Sequence, residues 1–313
     1  MKAAQINKYG STDGIEINTN TQKPSPSVGH LVIEVHAAGV NPIDWKICEG
    51  LRKERLDLKF PITLGMDFSG VVTEVGERVS GFKKGDQVYG QSSVFNGEPG
   101  TFAEFVFVDQ ERTALKPTKI NYIEAAAVPL AAVSAWQGLV DHMGLSKGQK
   151  ILIHGGAGGI GSFAIPLAKY LGAYVATTVS AENKQHVKDL GADEVIDYKN
   201  QSFDEILRDY DAVFDTVGGE TYVKSFKILK NGGTIVSMLE QPRPELMAKN
   251  NVKAIAEFTD VNSERLAKVA DLIDKGILKI QVDKTFPLDK ASEALLYLKT
   301  GHPRGKVVLK IKE

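Results

Sequence analysis

Residues 151–162 read Ile-Leu-Ile-His-Gly-Gly-Ala-Gly-Gly-Ile-Gly-Ser, and this stretch decides the fold. A short apolar run enters a turn with five glycines in the seven residues 155–161. G-x-G-x-x-G falls on Gly156, Gly158 and Gly161, between a strand and a helix start, which is the context that gives the spacing its meaning. The first glycine permits the tight turn, the second lets backbone approach a pyrophosphate, and the third lets the helix close onto the strand. Gly159 and Ile160 complete the turn, and the amides that open the helix, with its dipole, favour phosphate charge. A ligand-free turn is the competing reading, but so many glycines give up backbone entropy for no evident packing gain.

Outward from the turn, short apolar segments at 174–179, 194–197, 211–215, 233–237 and 252–256 alternate with helix-like segments at 159–171, 181–190, 203–209 and 219–229. With 151–154 they make six strands, the number of a doubly wound parallel sheet joined by right-handed crossovers. Before residue 120 the character differs. Strand-like runs at 31–35, 70–75 and 101–108 are separated by glycine turns, as in an antiparallel barrel or sandwich. From about residue 264 the chain returns to that style and ends in a strand at 306–311. A length of 313 residues allows about two domains.

Composition removes several classes of function. Lys plus Arg number 38 against 39 Asp plus Glu, a net charge of −1, so no electrostatic nucleic-acid or membrane binder is expected. The single cysteine, Cys48, excludes an intramolecular disulfide and cysteine-rich zinc modules. The N-terminal MKAAQINKYG lacks a signal peptide's apolar stretch, and the apolar run 125–136, broken by Pro129 and Ser134, falls short of a membrane span. A cytoplasmic location is the expectation.

Cofactor choice is set at the end of the second strand, 175–180, where NAD binders carry an acid about 20 residues beyond the turn. Here Thr178 and Ser180 stand at that end and Lys184 follows one helical turn on. A hydroxyl and a cation suit a 2′-phosphate better than a carboxylate, which favours NADPH over NADH. Two alternatives stay open: Ser180 as a helix N-cap, and Glu182, the nearest acid, as a ribose partner.

Several further stretches carry a resemblance: Ala37-Ala-Gly-Val-Asn-Pro-Ile-Asp44, Pro61-Ile-Thr-Leu-Gly-Met-Asp-Phe-Ser-Gly70, residues 79–88, Gly100-Thr-Phe-Ala-Glu104 and Gly305-Lys-Val-Val-Leu309. With the glycine turn, they resemble the medium-chain dehydrogenase/reductase superfamily over essentially the whole chain. That resemblance implies an α/β protein: a GroES-like β-rich catalytic domain from 1–122 and 264–313, and a Rossmann doubly wound parallel sheet over 123–263. In the superfamily's zinc alcohol dehydrogenases a ligand Cys stands where this chain has Asn41, and a ligand His with its neighbouring Glu where it has Met66 and Asp67. Asn and Met are poor zinc ligands, and Asp67 alone cannot hold the ion. The chain thus resembles the zinc-free, quinone oxidoreductase-like group, implying no metal and NADPH-dependent reduction of quinones or α,β-unsaturated carbonyls. Such acceptors need little Lewis-acid help, because conjugation already offers an electrophilic atom and spreads the resulting negative charge.

Asn41, at the vacated ligand position, is the candidate catalytic residue, its amide bonding the nicotinamide ribose or the substrate oxygen; a turn residue before Pro42 is the plainer reading. Asp44 is a candidate acid, with a cap or salt bridge as the alternative. The resemblance places Leu130 and Ser134 at the nicotinamide pocket, Tyr198 near the adenosine phosphate, and Thr216, Val217, Gly218, Met238 and Lys306 near the cofactor. It also implies a homodimer through the Rossmann sheet edge near 252–256. The loop 50–59 is expected to shape the acceptor pocket. Two alternative functions remain: a carbonyl reductase of the alcohol dehydrogenase type, and a catalytically weak NADPH-binding redox sensor.

Overall fold

The structure is a computed structural model, and residues 1–54 and 58–312 are described. Of the pocket loop expected at 50–59, Arg55, Leu56 and Asp57 therefore lie outside the described residues. The chain divides into two compact units: Met1–Leu130 with Val261–Asp274 and the stretch from Ile280 on, and Ala131–Asp260 with Lys275–Lys279. The sequence puts these divisions at 122/123 and 263/264. The first shift has a packing reason, because Ala126 and Ala127 cluster with Ala37 and Val308 of the first unit.

The first unit starts with strands β1 (Ala3–Ile6), β2 (Glu16–Asn18), β3 (His30–Val40), β4 (Ile62–Thr63), β5 (Asp67–Val75), β6 (Gln87–Gln91), β7 (Phe105–Asp109) and β8 (Thr113–Leu115). Helix α1 (Pro42–Cys48) follows β3, and α2 (Tyr122–Ala126) follows β8. Strand β3 is longer than its β-branched core 31–35 suggests, because small residues continue it where α2 crosses. A Cβ on Gly39 would stand 2.2 Å from the Ala126 carbonyl oxygen.

The second unit begins within α3 (Pro129–Trp136), which continues into a π-helical turn, Gln137–His142. Its strands are β9 (Lys150–His154), β10 (Tyr174–Val179), β11 (Glu194–Asp197), β12 (Tyr210–Asp215), β13 (Leu229–Ser237) and β14 (Lys253–Ala256). They form one parallel sheet in the order β11-β10-β9-β12-β13-β14. The crossover helices are α4 (Gly161–Tyr170), α5 (Lys184–Asp189), α6 (Phe203–Ile206), α7 (Gly219–Ser225) and α8 (Pro244–Asn250). Chain order reverses at β9, so the glycine turn leaves the sheet at the switch point where doubly wound folds bind ligands. Helix α8 falls in a stretch the sequence left unassigned.

Back in the first unit come α9 (Ser263–Asp274), β15 (Val282–Pro287), α10 (Ala291–Thr300) and β16 (Lys306–Lys310). The sequence reads this stretch as a return to the style of the first third, and two helices, α9 and α10, accompany its strands. Leu266, Val269, Leu272 and Ile273 are buried along α9, a helical and not a strand period. The large sheet runs β15-β16-β3-β5-β6-β8, with β7 also on β3. Its register sets up the site: Val307 lies opposite Val40, Gly39 opposite Asp67, and Asp67 opposite Gln91.

Candidate active site

That register gathers Asn41, Asp67, Gln91 and Lys306, with Asp44 beside Asn41, at one corner of the first unit. Asn41 is the N-cap of α1, extended at φ −127°, with Pro42 opening the helix. Its side chain does not cap the helix. Asn41 Nδ2 donates to Asp67 Oδ2 at 2.8 Å, and Asn41 Oδ1 accepts from Lys306 Nζ, which also donates to the Val40 carbonyl at 3.0 Å. Asp67 further accepts from Gln91 Nε2 (3.1 Å) and from the Leu130 backbone amide (3.2 Å). Asp44 serves as a cap from within the helix, its Oδ2 accepting from the Asn41 amide at 2.7 Å. Asn41 is 2% exposed, Lys306 4% and Asp44 0%.

Burial governs the protonation of this cluster. It raises the Asp44 carboxyl to about 8, a rise opposed by the Asn41 N–H and reinforced by Asp67. Asp67 is also raised by burial, against the pull of Lys306 and its hydrogen-bond donors. Burial lowers Lys306, while Asp67 and Asp44 act to hold its proton. Asp44 keeps its proton at neutral pH, while Asp67 meets only N–H donors and Lys306 only oxygen acceptors, the hydrogen-bond pattern of a carboxylate and an ammonium.

These residues do not fit a zinc ion. The Asn41 oxygen is taken by an ammonium, Met66 offers only a thioether, and a second cation beside Lys306 would be repelled. Among the described residues, no group of three or more His, Cys, Asp or Glu side chains is arranged to hold a metal.

The second unit holds the glycine turn. Gly155 has φ +68°, a conformation that side chains with a Cβ rarely adopt. A Cβ on Gly156 would stand 2.1 Å from Thr177 Oγ1, and one on Gly161 2.5 Å from the Gly155 carbonyl oxygen. Gly158 differs: its Cβ would meet only the Gly155 oxygen, at 3.3 Å. Two glycines close the turn and the middle one leaves a side open. Ile160 caps α4 with backbone alone, so no side chain takes up the first-turn amides. The Ser162 and Phe163 amides bond to the Gly158 and Ile160 carbonyls, each at 3.0 Å, so what fits a pyrophosphate here is the open side at Gly158 together with the positive end of the α4 dipole.

His154 braces this turn from below. Ser225 Oγ donates its one hydrogen to the Thr221 carbonyl (2.7 Å), so it accepts from His154 Nε2 (2.9 Å). The proton is thus on Nε2, and Nδ1 accepts from Thr178 Oγ1 at 3.0 Å. Thr178 in turn receives the Gly155 amide at 3.4 Å, and Thr216 Oγ1 donates to the His154 carbonyl at 2.8 Å. Burial pushes the imidazole down to about 4, so it stays neutral at physiological pH. His154→Leu should leave two hydroxyls without their ring partner and cost about 2–4 kcal/mol in chemical denaturation at pH 7; a loss under about 0.5 kcal/mol would show that the network carries little.

Ser180 occupies an N-cap position, yet its side chain makes no capping bond. Its hydroxyl donates to Glu182 Oε1 (2.9 Å) and accepts from Asn183 Nδ2 (3.1 Å). Lys184 Nζ lies 3.7 Å from Asp197 Oδ2, and Tyr198 beside it is 54% exposed. Thr216, Val217 and Gly218 form a turn held by Asp215, whose Oδ1 accepts from the amides of Val217 (3.0 Å) and Gly218 (2.9 Å). The Met238 amide donates to the Asp215 carbonyl at 2.9 Å. Ser134 Oγ meets Thr259 Oγ1 at 2.7 Å. The sequence-named residues thus fall into two groups: Asn41, Asp44, Leu130 and Lys306 in the first unit, and Ser134, the glycine turn and the strand-end residues in the second.

Sequence reasoning did not name Gln91, Asp215 or Phe258 as site residues. An acid closing a strand before Thr-Val-Gly-Gly was a readable signal for Asp215. Phe258 is 72% exposed just beyond β14, and its carbonyl accepts from Gln137 Nε2 at 3.1 Å, across 121 residues that no local pattern links.

Residues 27–118 match the alcohol dehydrogenase GroES-like domain family, and residues 190–309 the zinc-binding dehydrogenase family. Over 99% of its length the chain is 36% identical to a 2-methylene-furan-3-one reductase of Solanum lycopersicum, covering 79% of that protein. It is 35% identical, with the same coverages, to an NADPH-dependent alkenal/one oxidoreductase, chloroplastic, of Arabidopsis thaliana. The structure of the quinone oxidoreductase from Coxiella burnetii superimposes with a TM-score of 0.93 at 34% identity, covering 100% of this chain and 99% of that one.

Proposed function

This chain belongs to the quinone oxidoreductase-like family of the medium-chain dehydrogenases/reductases, and from that membership we propose that it passes a hydride from NADPH to a quinone or an α,β-unsaturated carbonyl. The observation that carries the choice of acceptor is the closed corner in the first unit. The residues at the superfamily's metal positions bond to one another and to an ammonium, so no Lewis acid is seated there to polarise an ordinary ketone. An acceptor that is electron-poor by conjugation needs only a hydrogen-bond donor for its oxygen.

Bound NADPH supplies the hydride. The chain's residues bind and orient. The glycine turn, Gly156 to Gly161, at the positive end of α4 takes the pyrophosphate, with Thr178, Thr216, Val217, Gly218 and Met238 along the same strand ends as cofactor contacts. Ser180, Lys184 and Tyr198 take the adenosine end, with Asp197 holding Lys184 in place. Leu130 and Ser134 are assigned to the nicotinamide side. Asn41 donates its second N–H to the nicotinamide ribose or the acceptor oxygen, and Asp44 keeps Asn41 at the mouth of α1. We place this chemistry in the cytosol, consistent with a single buried thiol at Cys48. We also infer a homodimer through β14, which among the described residues stands at the edge of its sheet beside β13. Among the described residues no helix is long and apolar enough to cross a membrane.

The test is NADPH oxidation across quinones, enals and simple ketones, with NADH in parallel. Conjugated acceptors should turn over with NADPH and ketones should not. Equal turnover of simple ketones would select the carbonyl reductase reading, and tight NADPH binding without any turnover the redox-sensor reading. Lys184→Glu should weaken NADPH by about 10- to 100-fold, the worth of a lost charge-assisted bond. NADH should change by less than about threefold, since it lacks the 2′-phosphate that the charge would meet; equal effects on both would make Lys184 an ordinary surface charge.

A further inference from the structure

We propose that Lys306 is the resident cation of this site, an ammonium supplied by the chain itself that fixes which way the Asn41 amide faces and so makes Asn41 a donor toward the ligand. The inference rests on the reading of Asn41 given above and adds the residue through which it is set. Lys306 opens β16, antiparallel to β3, and the pairing of Val307 with Val40 brings its side chain to the end of β3. There its ammonium donates to the Val40 carbonyl and to Asn41 Oδ1.

On the other side of the amide, Asp67 meets donors alone: Asn41 Nδ2, Gln91 Nε2 and the Leu130 amide. Three N–H donors define Asp67 as the carboxylate, and Lys306 is the positive charge that acts on it. The Asn41 amide is therefore clamped between a cation at its oxygen and an anion at its nitrogen. Reversing it would press its N–H group against the ammonium and its oxygen against the carboxylate, two repulsions in a buried corner. Only one polarity is allowed. Of the two N–H groups, one is spent on Asp67, and the second is what Asn41 offers a ligand. Lys306 is thus a positioning residue, whose two hydrogen bonds go to Val40 and Asn41 and which acts through Asn41.

The experiment is a double-mutant cycle over Asn41→Ala and Lys306→Met, with Lys306→Arg as the charge-keeping variant. Side-chain amide NMR of Asn41 serves as a readout independent of turnover. Removing one aligned donor costs on the order of 100-fold in turnover, and that is the loss expected for either single variant. The double variant should be no more than about twofold worse than Asn41→Ala, since residues that act as a unit are not additive. Lys306→Arg should recover part of the loss. The Asn41 Nδ2 resonances should be sharp in the wild-type protein and shifted or exchange-broadened in Lys306→Met. Multiplying losses in the cycle, or an Asn41 signal indifferent to Lys306→Met, would overturn the proposal. A wild-type protein inactive on every conjugated acceptor would instead overturn the reading of function, and the NMR comparison would still decide the role of Lys306.

Discussion

Gly158→Ala is expected to fold as the wild-type protein does and yet bind NADPH about 100-fold more weakly, a change of ~2.7 kcal/mol. Gly161→Ala, by contrast, should first lose stability, by about 1–3 kcal/mol, the usual cost of overpacking. The difference comes from what each new methyl meets. At Gly161 it would lie 2.5 Å from the Gly155 oxygen and 2.6 Å from Gly156 Cα, both backbone atoms that cannot swing away. At Gly158 the nearest atom is the Gly155 oxygen at 3.3 Å, so the methyl asks that carbonyl to move by only a few tenths of an ångström. A phosphate approaching the open side of the turn would meet it directly. Thermal melts paired with NADPH titration by fluorescence separate the two effects. An unchanged NADPH affinity in Gly158→Ala would mean that no phosphate approaches this turn, and the nucleotide site would have to be sought elsewhere.

The turn was legible because its information is local. Strand, glycine spacing and helix start all sit within residues 151–162, and the backbone geometry they impose does not wait for tertiary contacts. The parallel sheet was legible for a related reason, since buried strands of this kind are short apolar runs bounded by helix. Helix α9 was also within reach: Leu266, Val269, Leu272 and Ile273 repeat at helical spacing. The charged residues between them keep the stretch polar on average, so only its helical period marks it.

The corner around Asn41 was half legible. Asn41 and Asp44 are neighbours in the chain, and Lys306 was named as a cofactor contact. The bond from Lys306 to Asn41 spans 265 residues, and that from Asn41 to Asp67 spans 26, each fixed by strand register. Nothing local in Gly305-Lys306-Val307 says that the lysine turns inward. Its burial follows from an antiparallel pairing whose alignment depends on the whole sheet. Gln91 was missed for the same reason, because it reaches Asp67 only through the β5–β6 ladder.

Asp44 makes this corner a determinant of how stability varies with pH. Its carboxyl titrates near 8 in the folded protein against an ordinary value near 3.8. Between those values the unfolded chain has released the proton while the folded chain retains it. The folded state therefore gains from Asp44 only in acid, and stability falls as pH rises from about 4 to about 8, then levels off. At about 1.4 kcal/mol per unit, the whole excursion is on the order of 5 kcal/mol, with Asp67 and Lys306 able to absorb part of it. Asp44→Asn should flatten the profile. Asparagine copies the shape of the protonated acid, its oxygen still accepts from the Asn41 amide, and it has no proton to lose. It should match the wild-type protein near pH 4 to within about 1 kcal/mol and exceed it by several kcal/mol at pH 8, against a total folding stability of about 5–15 kcal/mol. Denaturant midpoints measured from pH 4 to pH 9 for both proteins decide the matter. Parallel curves would mean that Asp44 ionises in the folded state as readily as in the unfolded one, and a wild-type protein that grows more stable toward alkali would reverse the sign assigned to it.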